Sequence, residues 1–430
     1  MSSAGCLALM AVFAAVLAAA APPPRSSRAV TGSAATVWCP DVVLADGWDP
    51  VLRRIMDEGP TAWGDSGVPE NTPPPWMDAR RYAAGKAFIA RHTISVTFAH
   101  VHSLYLLLAV PSVLDVLVYT GNSDTPDEAF IRYYDTVQGV LSWYVSDAFT
   151  AGSWGFEQLK HVRWMHNLVR LDMNDNKHPE EVREKMRLAG NFTGCPVSAG
   201  LRRDLDRPLA ARAPRPETDA QPFSQDSNKK SKYMSQYDMA ITQWAFVGPL
   251  IQFPDRYGIG NATEEELDGF VHLWEVLGYA LGIDDRFNFC QGGLGPTLRR
   301  ARQTLAGIVL PSMRRARPPW EYMTRCMADG LGYVLPGIDF RSQLANMLRV
   351  TLDAPSPSVE ALLTPQQRTA TAGYRGVLSD IKENGGLSDS VSSLFLQLVP
   401  TLRSLPKEQV KKLRHRPPHR AEGCYARIRP

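Results

Sequence analysis

His161-Val-Arg-Trp-Met-His166-Asn-Leu-Val-Arg170 contains neither Gly nor Pro. Its Val162, Met165 and Val169 recur at helical spacing, which predicts an α-helix with one apolar stripe. Arg163, His166 and Arg170 fall at i, i+3 and i+7, so an imidazole sits between two guanidinium groups on a second stripe beside the first. If that stripe faces inward it needs anionic partners, because unpaired buried charge is very costly. A metal-bound imidazole with carboxylates on either side would supply them.

Upstream, Thr125-Pro126 followed by Glu128 has the form of an N-cap with Pro at the first helical position. The helix it starts is expected to run through Arg132 and Thr136, one turn apart on a shared face, to about Phe149. Ala151-Gly-Ser-Trp-Gly155 is a turn, and helices joined by a short turn pack antiparallel. Arg132, Thr136 and His166 are therefore expected to face one cavity. Downstream, Ser235 with Asp238 and Thr263 with Glu266 mark two more capped helix starts. Gly248-Pro249 should kink or end the first, and Gly282 should close the second. Stretches 298–308, 319–335, 341–352 and 391–402 read as further helices. With no run of alternating strands, the expectation is an all-α fold, a single large helical domain over residues 81–402 that encloses a pocket. Residues 22–80, rich in Pro, Gly and Asp, are expected to form an extended arm with one short helix at Trp48 to Ile55. Residues 196–232 are expected to be a mobile insertion, and 403–430 a basic tail whose alternative to plain solvation is peripheral contact with an anionic membrane.

The pairing of Arg132-Tyr-Tyr-Asp-Thr136 with the His166 helix resembles the haem-dependent oxygenase family of bacterial latex-clearing rubber oxygenases and the fungal ER-bound oxygenase of mycophenolic acid biosynthesis. The resemblance continues at Ser235-Gln-Tyr-Asp-Met-Ala-Ile-Thr-Gln-Trp-Ala-Phe246 and at His272-Leu-Trp-Glu-Val-Leu-Gly-Tyr-Ala-Leu-Gly-Ile-Asp-Asp285. It implies haem b in a helical core with His166 as the proximal iron ligand, and propionates paired with Arg163 and Arg170. It also implies Arg132 and Thr136 on the oxygen side, and oxygenation of an apolar, isoprenoid-like lipid by molecular oxygen. One position departs: the rubber-cleaving members carry Lys just before the Thr, and this chain has Asp135. That puts a polyisoprene substrate in question more than the haem. Asp135 either pairs with Arg132 at i, i+3 or moves protons during oxygen activation. Two further classes stay open, a haem-binding protein without turnover and a haem-free helical binding protein.

Near balance between 47 basic and 44 acidic residues gives no electrostatic case for nucleic acid. The apolar run Cys6 to Ala21 falls short of the roughly 20 residues of a spanning helix and suits a signal peptide ending near residue 21; a retained signal anchor is the alternative. Secretion or the ER lumen also accords with sequons at Asn191 and Asn261. Beyond Cys6, the five remaining cysteines, Cys39, Cys195, Cys290, Cys326 and Cys424, allow at most two bridges. Ser95 to Val110 is apolar nearly all round, as in a core helix. Its His100 and His102, two apart, point to different sides and are expected to be satisfied by core hydrogen bonds, as is His272. Asp284-Asp285 is expected to form a turn rather than hold a metal.

Overall fold

The computed structural model describes residues 47–174, 196–209, 231–316, 318–332, 339–386, 389–390 and 392–393. The expectations for the signal peptide, Asn191, Cys39, Cys195, Cys424, the helix at 391–402 and the basic tail fall wholly or mainly outside them. The described chain is all-α, with no strand among those residues.

Asp49 caps α1 (Pro50–Asp57), whose Leu52, Ile55 and Met56 are buried, so the short helix expected in the N-terminal region docks on the body. The centre of the fold is α2 (Ala79–Leu107), with Phe88, Ile89, Val96, Tyr105 and Leu106 each at most 1% exposed. It bends at His92, where the Thr93 hydroxyl bonds back to the Ile89 carbonyl at 2.7 Å. α3 (Pro111–Thr120) follows after a break of 95°. Among the described residues no single helix is long and apolar enough to cross a membrane.

Thr125 caps α4 (Pro126–Val145) as expected, its hydroxyl accepting the Glu128 N–H at 3.3 Å. The helix stops short of Phe149 because the Asp147 carboxylate takes the N–H groups of Phe149 and Thr150, at 2.6 and 2.7 Å, into a turn. α5 (Trp154–Asn174) contains the quoted stretch and returns antiparallel. Gly155 abuts Ser142 and Asp147, Gly139 faces Val162, and His166 lies within electrostatic reach of Arg132.

The expected mobile insertion is corrected over its first part, where α6 (Pro196–Leu209) is a docked helix. Val197, Leu201 and Leu205, four apart, are fully buried, and Asp204 accepts from the N–H groups of Ser358 and Val359 at 3.0 and 2.8 Å. That stripe was hidden among charged neighbours.

Capping boxes open α7 (Gln236–Gln252) and α8 (Glu264–Ala280), and Gly282 follows α8 at φ +97°. α7 runs one turn past Pro249, since Phe253 still donates to the Pro249 carbonyl at 3.1 Å. α8 crosses α2 with backbones nearly touching at Gly85 and Gly269, and Arg81 forks onto Asp268 at 2.7 and 3.0 Å beside the crossing. Outside this pair lie α9 (Leu294–Thr304), α10 (Leu310–Arg314), α11 (Pro318–Leu331), α12 (Phe340–Val350), α13 (Pro357–Glu360) and α14 (Pro365–Glu383). A π-turn at Leu305–Val309 separates α9 from α10 where the Trp48 ring presses on Gly307. No expectation covered α14, although Thr371, Tyr374, Leu378 and Ile381 give it a core stripe.

Candidate functional site

Arg163, His166 and Arg170 do share the inward face of α5, with Phe156, Leu159 and Met173 buried on the same side. The opposite side carries His161 and exposes Trp164, Met165, Leu168 and Leu171. His166 is half-buried, and its Nδ1 is buried with no hydrogen-bond partner among the described residues. Burial holds this imidazole down to about 4, with Arg170 and Arg132 adding to the effect and Asp65 opposing it. It is therefore neutral at pH 7, the form in which a ring nitrogen can donate to a metal.

The two arginines have other employment than expected. Arg163 sends Nε at 2.9 Å and Nη2 at 2.5 Å to the Asp65 carboxylate and Nη1 at 3.4 Å to the Ala280 carbonyl. Arg170 donates to the carbonyls of Met234 at 2.9 Å and Gly64 at 3.0 Å, and to Asn167 Oδ1. The inward stripe does need anionic partners, but residues 64–65 and nearby carbonyls supply them. Each guanidinium nitrogen already has a protein acceptor, so propionate pairing is withdrawn from Arg163 and Arg170. Asp65 was missed because a lone Asp in Gly64-Asp-Ser-Gly67 reads as a turn; only the unmet demand of the two arginines pointed to a carboxylate elsewhere.

On α4, Arg132 donates to the Ser123 hydroxyl at 3.3 Å, and burial lowers its pKa. Thr136 bonds back to the Arg132 carbonyl at 3.0 Å and is exposed. Yet Ala129, Tyr133, Val140 and Trp143, seven and three residues before it and four and seven after, are buried at 0–6% exposure. Those positions straddle Thr136 around the helix, so Thr136 is an exposed position on an otherwise packed face. Tyr133 Oη and Trp143 Nε1 are also buried without partners. Asp135 is exposed beside Thr136. The structure thus brings Arg132 and His166 together and places Thr136 on the same helix pair.

No family model matches the chain, and no curated protein or solved structure matches it either.

Other candidate groups resolve into structure. His272 is sealed, with Nε2 accepting the Asp78 N–H at 2.9 Å, which leaves Nδ1–H to donate to Glu275 at 3.0 Å. It lines a surface cleft of about 630 Å³ with Trp76, Arg81, Asp268 and Glu275, away from His166. With both ring nitrogens engaged it has no lone pair to offer there, so cleft size does not locate the chemistry. His100 donates to the Phe246 carbonyl at 3.2 Å, and His102 meets Thr351 and Tyr374 at 3.4 and 3.2 Å. Asp284 accepts from Arg286, and Asp285 takes the Trp76 indole N–H at 3.1 Å, so both act as turn and tie residues. Cys290 and Cys326 are buried free thiols. Among the described residues no three His, Cys, Asp or Glu side chains converge as a metal-ligand set. A single-imidazole site is not of that kind.

These buried imidazoles make stability acid-sensitive. Burial chiefly holds His92, His100 and His166 at about 4 and His102 at about 3, against about 6.5 unfolded. Their folded values are the lower ones, so the unfolded chain takes up more protons as pH falls from about 6.5 to about 4. Stability is complete above that window and is lost through it, by up to about 1.4 kcal/mol per pH unit for each imidazole. Asp238, whose carboxyl burial raises, opposes the trend with one group. Urea unfolding midpoints should therefore drop steeply between pH 7 and pH 4.5; a flat profile would refute the burial of these rings.

Proposed function

We propose that the chain binds haem b through His166 and acts as an oxygenase on an apolar, isoprenoid-like substrate. The observation that carries this reading is the His166 imidazole: half-buried, neutral, with a buried Nδ1 that has no hydrogen-bond partner among the described residues, and within electrostatic reach of Arg132. A buried unpartnered nitrogen normally costs about 1–3 kcal/mol, which a ligand bond would recover. The residues present thus fit a haem whose proximal ligand is His166. When bound, the iron supplies the oxygen chemistry that no side chain provides.

The chain's own part is to bind, orient and exclude water. His166 holds the group from α5. Arg132, whose side chain otherwise meets Ser123 and the ring face of Tyr133 among the described residues, is the cation that would take the place of Arg163 and Arg170 beside it. The Thr136 hydroxyl, tied to its own helix, stands exposed one turn from Arg132. The aromatic rings of Tyr133 and Trp143, buried on the same face of α4, supply apolar surface suited to a prenyl lipid. Oxygen uptake by haem-loaded protein on adding a prenyl lipid tests turnover; no uptake would leave binding without oxygenation.

That second reading is favoured by Asp135, which stands where rubber-cleaving members carry Lys. Asp135→Lys is expected to leave helical content unchanged, since the position is exposed, while shifting the absorption spectrum of the haem-loaded protein. A well-folded, haem-loaded variant with the wild-type spectrum would show that position 135 does not face the cofactor.

A further inference from the structure

The segment 62–67 crosses beneath α5 at the point where three helix ends meet. Ser66 N–H donates to the Gly282 carbonyl just past α8, at 2.9 Å, and Gln236 at the start of α7 reaches the carbonyls of Trp63 and Gly282 at 3.1 and 3.0 Å. Gly64 is pressed so closely between Met234 and Arg170 that a Cβ there would lie 1.9 Å from the Met234 carbonyl oxygen. Asp65 sits at the middle of this junction with 8% of its side chain exposed. It accepts from Arg163 Nε and Nη2, from Asn167 Nδ2 at 2.6 Å, and from Gly67 N–H at 2.8 Å. Arg163 and Asn167 bracket His166 in sequence, three residues before and one after.

We propose that Asp65 is the positioning residue of the His166 site, a buried carboxylate that fixes the rotation of α5 by holding Arg163 and Asn167 and so turns the imidazole towards Arg132. This rests on the haem reading above. The need for such an anchor follows from the other side of α5, where Trp164 and Leu171 are 54% and 58% exposed and the Tyr119 hydroxyl, bonded to Asp172 at 2.6 Å near the C-terminal end, is the hydrogen-bonding tie among the described residues. Around His166 the rotation is then set chiefly by the inward stripe, where Arg163 draws its carboxylate from Asp65 and Arg170 donates to the neighbouring Gly64 carbonyl. The same carboxylate is the acidic group that acts on His166 against Arg132 and Arg170. Removing its charge would make the imidazole a poorer donor and favour the ferrous over the ferric form of a bound iron, raising its reduction potential.

The test compares wild type, Asp65→Asn and the milder Asn167→Ala, with helical content checked by circular dichroism. In haem-free protein, acylation of histidines by diethylpyrocarbonate is mapped by mass spectrometry. Wild type should be modified at exposed His161 and protected at His166; Asp65→Asn should lose that protection, and Asn167→Ala should lose part of it. In haem-loaded protein, Asp65→Asn should bind haem at least about 10-fold more weakly, as outer-shell losses do, with an altered ligand-field spectrum and a higher potential. Wild-type protection, affinity and spectrum in both variants, whatever their melting temperature, would reduce Asp65 to a structural tie and overturn the proposal. Wild type that binds no haem would instead sink the haem reading, and the positioning role towards it as well.

Discussion

His166→Ala is expected to abolish stable haem binding, whereas His161→Ala should leave it intact. The two imidazoles share one helix and differ in what surrounds them. His161 lies on the exposed side, its ring 6.0 Å from that of Trp164. His166 is half-buried on the inward side, its Nδ1 buried without a partner among the described residues. Haem b held by one protein ligand keeps only apolar contacts and propionate pairing when that ligand is lost. Outer-shell losses at metal sites cost about 10–100-fold in affinity, and loss of the ligand itself should exceed that. Haem titration followed by absorbance, on variants of matched helical content, checks it. Wild-type occupancy and an unaltered spectrum in His166→Ala would show a packed structural histidine.

The largest loss of stability should come from Gly85→Val or Gly269→Val. A Cβ at Gly85 would lie 2.3 Å from the Gly269 carbonyl oxygen, and one at Gly269 would lie 2.8 Å from Gly85 N and 2.9 Å from the Arg81 carbonyl. These neighbours are backbone and cannot swing aside, so α2 and α8 must separate along the crossing that holds the core. Overpacking costs about 1–3 kcal/mol and more where backbone blocks relief, so about 3 kcal/mol is expected. The gain of about 0.5–1 kcal/mol from replacing a helical Gly does not offset it. Gly373→Ala in α14 is the control: nothing lies within 4 Å of its Cβ position, so only the propensity gain should appear. Chemical denaturation of the three variants tests this, and near-wild-type stability in Gly85→Val would contradict the close crossing.

Where side chains repeat at helical spacing between clear caps, the fold was legible. Thr125, Ser235 and Thr263 each mark a helix start that the structure keeps, and the pairing of α4 with α5 follows from the turn between them. What escaped depends on partners distant in sequence. The α6 stripe is buried only because residues 357–360 come back to cover it, and no local pattern announces that. The demand of Arg163 and Arg170 for negative partners was equally legible, but the supplier was not. Asp65 lies 98 residues before Arg163 in a turn that looks solvated, and assigning propionates to the arginines filled a vacancy the chain fills itself. Thr136 gave the opposite lesson, since its place on α4 could be read from spacing while its exposure amid packed neighbours could not.

The absorption spectrum of the purified chain after addition of equimolar haem bears most directly on the central claim. The account predicts a histidine-ligated haem that stays with the protein through gel filtration and loses that spectrum in His166→Ala. A spectrum of free or non-specifically adsorbed haem, stripped from wild type on the column, would contradict it.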